Sequence, residues 1–203
     1  KSKIEYIVLD KEPANLKIIN DNDSPQLKES KTLDNALIRE NFQRNFALKK
    51  LHEVNDNDLI LINDLDEIPE LKNFSYKNKI TIFKQRMLYF KFNLVYKNLS
   101  WTGSKICKKK DLISPQWLRN IKTRKYPYYR IDTFFSKVKY TNIKMIKNGG
   151  WHFTYLKSAK DIYLKLKSFA HHVEFELNPL SIKDIQNLIY KKKAINAFKD
   201  NSS

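Results

Sequence analysis

Glycine and cysteine are almost missing from this chain of 203 residues, which holds three glycines, Gly103, Gly149 and Gly150, and one cysteine, Cys107. Three glycines at these positions cannot form a Gly-rich phosphate loop or a dinucleotide fingerprint, so any nucleotide must be held another way. A single cysteine excludes an intrachain disulfide and a Cys-rich zinc site, and it fits a reducing compartment. No run approaches the ~20 apolar residues needed to cross a bilayer, and the start KSKIEYIVLD lacks the small-residue cleavage site of a secretory signal. The expected location is cytoplasmic, with peripheral contact to an anionic membrane open to so basic a surface. Carboxylates are scarce too: 22 Asp and Glu face 39 Lys and Arg, for a net charge of +17. Such a field attracts nucleic acid, anionic lipid or phosphorylated substrates, although many of the lysines would only solvate the surface.

What is abundant is material for a core. Hydrophobic residues make up 41% and aromatics 13%, with 11 Tyr and 12 Phe, which excludes a disordered chain and suits one domain. IEYIVL (4–9) reads as a short buried strand. From Leu33 to about Glu53 apolar residues recur near the helical period, and DLILIN (58–63) reads as a strand buried on both faces of a parallel sheet. Strand, helix, strand opens an α/β fold. KITIF and RMLYFKFNLVY follow, the latter with Leu88, Phe90, Phe92 and Leu94 alternating as in strands. TGSKICKKK alternates in the same way. Toward the end, Ser158 with Asp161 and Ser181 with Asp184 mark two helix starts.

The scarce carboxylates gather where that apolar run ends, in NDLDEIPE (63–70). Ligands of open parallel sheets bind beyond the carboxyl ends of strands, which is where Asp64, Asp66 and Glu67 fall. If the backbone stays extended, Asp64 and Asp66 point to one side and repel unless a cation joins them. A hard divalent ion, Mg²⁺ or Mn²⁺, would resolve that conflict and keep sites open for phosphate oxygens. The plainer alternative is a polar turn ending a strand. A phosphatase of the haloacid-dehalogenase type also sets two Asp this way, but Ile68 stands where that pattern wants Thr or Val.

Three blocks in order, IRENFQRN (38–45), DLILINDLDEIPE and GGWHFTYLKSAKDIYLKLKSFAHHVEF (149–175), resemble glycosyltransferase family 17, the enzymes similar to β-1,4-mannosyl-glycoprotein β-1,4-N-acetylglucosaminyltransferase. The resemblance implies a GT-A-like nucleotide-diphospho-sugar transferase fold, with a mixed central sheet flanked by helices. It also implies residues 1–203 as a single glycosyltransferase domain whose first strand and helix lie upstream of residue 1. The implied reaction transfers a sugar, N-acetylglucosamine being expected, from a UDP-sugar to a glycan or lipid-linked glycan with inversion, using Mn²⁺ or Mg²⁺.

Carried onto this sequence, the resemblance makes Asp66 a metal ligand and sends Asp64 to the ribose or a metal-bound water, with Glu67 supporting them. His152 would complete the metal shell, or else be a packed core histidine, and Trp151 would stack on a sugar or simply be buried. Gly149 and Gly150 would let the backbone approach the donor. Arg39, Arg44 and Asn45 fall in the donor-binding block, where Arg44 would meet the diphosphate or merely pair with Glu40. An inverting transfer needs a general base, for which His171, His172 and Glu174 are the candidates, with Asp132 outside that block. The rival reading is a basic, non-catalytic nucleic-acid-binding domain, suggested by lysine-rich strands interleaved with Tyr and Phe, but no nucleic-acid motif supports it.

Overall fold

The computed structural model describes residues 4–72, 74–168, 175 and 179–195, and it shows a mixed α/β fold with two four-stranded mixed sheets flanked by helices. The first helix, α1 (Pro25–Phe46), begins where Ser24 accepts from the Leu27 amide and Pro25 takes the first turn, and it tightens into a 3₁₀ stretch, Ala47–Glu53. Strands β1 (Leu59–Ile62) and β2 (Glu67–Pro69) follow, then β3 (Ile80–Phe83), β4 (Gln85–Tyr89), β5 (Val95–Trp101) and β6 (Lys105–Lys108). Helix α2 (Pro115–Asn120) and the short α3 (Asp132–Phe135) precede β7 (Ile143–Ile146) and β8 (Gly150–Thr154). Helices α4 (Ala159–Ser168) and α5 (Ile182–Tyr190) complete the described elements.

One sheet has the order β1-β6-β3-β7 and the other β2-β8-β4-β5. In each, two strands run parallel, β3 with β7 and β4 with β8, and the remaining pairs are antiparallel. The chain passes from the first sheet to the second at Lys84, and again between β7 and β8. Backbone bonds continue across this bend: the Lys84 amide donates to the Ile146 carbonyl at 2.9 Å and the Gly149 amide to the Lys84 carbonyl at 2.7 Å. The first core packs Ile80, Ile82, Cys107 and Ile143 against Trp117, Leu118 and Ile121 around α2. The second packs Met87, Tyr89 and Phe90 against Ile162, Leu166, Phe175 and Ile185, which places α4 and α5 on that sheet. Burial pushes the Cys107 thiol up to about 12, so it is an inert core residue.

Both tail helices start where the Ser-x-x-Asp pattern sets them. Ser181 accepts from the Asp184 amide while Asp184 accepts from the Ser181 amide, a complete capping box. Three expectations need correcting. Residues 4–9 form no strand and are largely exposed, among them Tyr6 and Val8. β1 is not a doubly buried parallel strand: among the described residues it pairs only with β6, antiparallel, and Leu59 is exposed. The alternation over 88–94 runs through a hairpin, because β4 ends at Tyr89 and the Tyr89 amide donates to the Leu94 carbonyl.

Gly150 shows what the bend demands. Its φ is +122°, and a Cβ there would lie 2.1 Å from the Ile68 carbonyl oxygen and 2.8 Å from the Glu70 nitrogen. The space released by glycine is filled by β2, which therefore closes against β8. Gly150→Ala combines backbone strain with a backbone clash, and the expected loss is about 2 to 4 kcal/mol of unfolding free energy, measured by chemical denaturation.

Candidate functional site

Residues 63–66 do not stay extended after β1. The Glu67 amide donates to the Asp64 carbonyl at 3.0 Å, and the Asn63 side-chain amide donates to the Asp64 and Glu67 carbonyls, so the chain turns. The turn sends Asp64 and Asp66 to different partners, in place of the common side expected of an extended chain.

Asp64 faces two guanidinium groups. Arg44, from the last turn of α1, reaches its Oδ1 at 3.1 Å, and Arg119, from α2, reaches its Oδ2 at 2.6 Å. Arg44 also donates to Glu40 at 2.7 Å and to Gln116. Burial works against the charge on Arg44, but the Glu40 and Asp64 carboxylates more than offset it and hold the guanidinium's pKa above the usual arginine value. The helix pair and the longer reach to Asp64 thus coexist in one side chain. Asn45 accepts from the Gln116 amide at 3.0 Å and so caps one of the free amides at the start of α2. Arg39 lies apart, in an exposed pair with Glu12 at 2.9 Å.

Glu67 is the buried centre of the cluster. Its side chain is 0% exposed, yet both oxygens are satisfied. Arg119 Nη1 donates to both at 2.9 and 2.8 Å, the Trp101 indole donates at 2.6 Å, the Ser104 hydroxyl at 3.0 Å and the Asp64 amide at 3.2 Å. A Cβ on Gly103 would come 1.8 Å from Glu67 Oε1, so the connection from Trp101, at the end of β5, to Ser104 approaches this closely only with glycine there. Behind it the buried Lys105 ammonium donates to the Arg119 and Ile121 carbonyls at the end of α2. Burial, with the Arg119 charge beside it, brings the Lys105 pKa down to about 8.

Asp66 turns the other way. Its carbonyl accepts from the Phe153 amide at 2.9 Å, which extends the β2–β8 ladder, and its carboxylate lies 3.7 Å from His152 Nε2. Glu67 is in register with His152, so the two side chains share a face. Trp101 stacks on the imidazole with centroids 4.5 Å apart and 18° between planes. Burial lowers the His152 pKa, while the Asp66, Glu67 and Asp64 carboxylates pull it back up. The net direction is down, so the ring is neutral at pH 7 and its contact with Asp66 is an ion pair only in acid. With Nδ1 3.3 Å from the Thr154 hydroxyl, an Nδ1–H donor would leave the Nε2 lone pair directed at Asp66. Trp151, one residue earlier, falls on the opposite face of β8, in register with Ile68 and beneath the Arg86 guanidinium at 5.6 Å.

His171, His172 and Glu174 lie outside the described residues. Asp132 is held by Arg130 at 2.7 Å and by Lys139 at 2.8 Å, which brings its pKa down to about 2. A carboxylate so held is a poor proton acceptor. Among the described residues, no group of three or more His, Cys, Asp and Glu is placed to hold a metal ion by itself. Sequence reasoning missed Arg119, Trp101 and Ser104. A lone Gly103 inside an alternating strand pattern was the available signal, since it marks a close approach. No family model matches the chain, and neither a curated protein nor a solved structure matches it.

Two measurements test this geometry. Arg119→Met strands the buried Glu67 carboxylate and is expected to cost about 3 to 5 kcal/mol in chemical denaturation, with part restored when Glu67→Met is added. The His152 imidazole is expected to titrate below 6.5 by NMR. The unfolded chain then binds the proton first, so this residue's share of stability is present above pH 6.5 and is lost as the pH falls through the lower folded value.

Proposed function

We propose that the chain is a metal-dependent, inverting glycosyltransferase of GT-A type that takes its sugar, N-acetylglucosamine in the first instance, from a UDP-sugar. The observation that carries the reading is the half-exposed Asp66 carboxylate facing the buried imidazole of His152 at 3.7 Å. The resemblance of the three sequence blocks supports it, because it sets the same two residues in the metal role.

The donor set fits such an ion. One carboxylate oxygen and one imidazole nitrogen suit Mn²⁺ better than Mg²⁺, which takes oxygen ligands, and two donors would leave most of the coordination shell to water and a substrate's phosphate oxygens. A divalent ion bound there would supply Lewis-acid stabilisation of the charge that grows on the departing UDP. The protein's part is to position these donors. Trp101 fixes the plane of the His152 ring, and Thr154 takes up its other nitrogen. Arg44 and Arg119 are committed to Asp64 and Glu67, so in this reading they hold the turn that presents Asp66. The acceptor is a glycan, and the base that deprotonates it is a separate group across the donor from Asp66.

Calorimetric titration of UDP with and without Mn²⁺ tests the reading. Binding is expected to need the metal, and Asp66→Ala or His152→Ala is expected to weaken it by ten- to a hundred-fold or more. It should persist through neutral pH and fade in acid as His152 is protonated. UDP binding that ignores both metal and Asp66 would remove the proposal, and tight single-stranded oligonucleotide binding in its place would favour the nucleic-acid reading.

A further inference from the structure

The sequence NIKTRKYPYYRIDTFFSKVKY (120–140) folds as a closed loop whose ends are pinned to the body. The Lys122 amide donates to the Val138 carbonyl at 2.9 Å, and the Trp117 indole donates to the Lys137 carbonyl. Inside the loop the Thr133 side chain is buried and donates to the Arg130 carbonyl at 2.6 Å, which anchors α3. Tyr126 lies at the base, with the Arg130 and Lys139 cations 5.5 and 5.9 Å from its ring centroid.

What the loop presents outward is apolar. Tyr128, Tyr129, Ile131, Phe134 and Phe135 are each between 71% and 86% exposed, five large side chains within eight positions. Single exposed apolar residues need no explanation, but a run held out by a pinned loop marks a contact surface. Around it stand Lys122, Arg124, Lys125, Arg130, Lys137 and Lys139, and the one carboxylate in the stretch, Asp132, is tied to Arg130 and Lys139.

We infer that this loop docks the protein on an anionic phospholipid surface, with Tyr128, Tyr129, Ile131, Phe134 and Phe135 entering the interfacial layer and the flanking cations meeting lipid phosphates. Aromatic rings favour the headgroup boundary, and cations beside them add attraction to acidic lipids. Among the described residues no helix is long and apolar enough to cross a membrane, so the contact would be interfacial. Charge complementarity favours this loop, with six cations and one carboxylate over residues 120–140, over the exposed apolar residues 4–12, where Glu5, Asp10 and Glu12 accompany a single cation, Lys11. A lipid surface is favoured over nucleic acid because Ile131, 71% exposed among the rings, offers neither a π face to a base nor a hydrogen-bonding group. The inference is independent of the UDP-sugar reading and survives its failure.

Co-sedimentation of the full chain with vesicles tests it. Binding is expected to vesicles of phosphatidylcholine with about 30% phosphatidylserine, to be weak on phosphatidylcholine alone, and to fall with salt. The Phe134→Ser, Phe135→Ser double variant should bind at least about tenfold more weakly with its melting temperature unchanged, since both side chains are exposed in the free protein. Arg124→Ser with Lys125→Ser should weaken binding and flatten the salt dependence. Absence of binding to the anionic vesicles would overturn the inference, as would binding that the phenylalanine changes leave untouched, which would mean diffuse attraction by surface lysines. Loss of single-stranded oligonucleotide binding in that variant, with vesicle binding intact, would overturn it in favour of a base-stacking surface.

Discussion

The Glu67–Arg119 ion pair is the contact on which the surrounding geometry depends. A carboxylate removed from water costs several kcal/mol unless every lone pair is met, and here a guanidinium, an indole N–H, a hydroxyl and a backbone amide meet them. These donors come from α2, β5, the residue before β6 and the turn after β1. Satisfying one charge therefore fixes four pieces of chain. A hydrophobic side chain in its place could give comparable stability, but it would not specify the directions of Arg119 and Trp101. Arg119 extends the constraint to Asp64, and Asp64 extends it through Arg44 to α1, so that negative and positive groups alternate from Glu40 to Glu67.

This arrangement decides which carboxylate is open to a ligand. Asp64 has one guanidinium on each oxygen, and Glu67 has no exposed side-chain surface. Asp66 stands outside the chain of ion pairs because the turn points it toward β8, where strand register has already placed His152. Trp101 links the two halves, since its N–H serves Glu67 and its ring face serves His152. A change at the buried pair should therefore be felt at the imidazole without altering either proposed metal donor. Strand alternation also sorts GGWHF: His152 is turned to the acidic side and Trp151 to the other, so a sugar resting on Trp151 would lie across β8 from the imidazole.

Local signals in the sequence were readable where the controlling physics is local. The two Ser-x-x-Asp starts, the helix through Arg44 and the apolar run that became β1 each depend on residues within a few positions of one another. What could not be read was pairing over distance. Arg119 meets Asp64 across 55 positions and Glu67 across 52, and nothing in PQWLRN announces a carboxylate partner. The period of two over Leu88 to Leu94 persisted because a hairpin also alternates its side chains, while the turn itself is set by Phe90 at φ 65°. Expecting β1 to be buried on both faces failed because its composition fits a central strand as well as an edge. The neighbour, which decides between them, is not encoded in the run itself.

The charge imbalance that dominates the composition acts through two different physical regimes. Surface lysines give a long-range field that salt screens within about 10 Å, so it can gather anionic partners but orient them poorly. Orientation needs desolvated contacts. The exposed rings of the 120–140 loop, Tyr128, Tyr129, Phe134 and Phe135, would lose water on meeting an interface, while Asp66 and His152 offer directed lone pairs beside a buried ion pair. A site on so basic a chain would gain selectivity from this contrast: anionic ligands would be drawn to the whole surface, whereas a divalent cation would need directed donors such as Asp66 and His152. In the turn after β1 the arginines that pair with Asp64 and Glu67 leave Asp66, among the described residues, facing His152 instead.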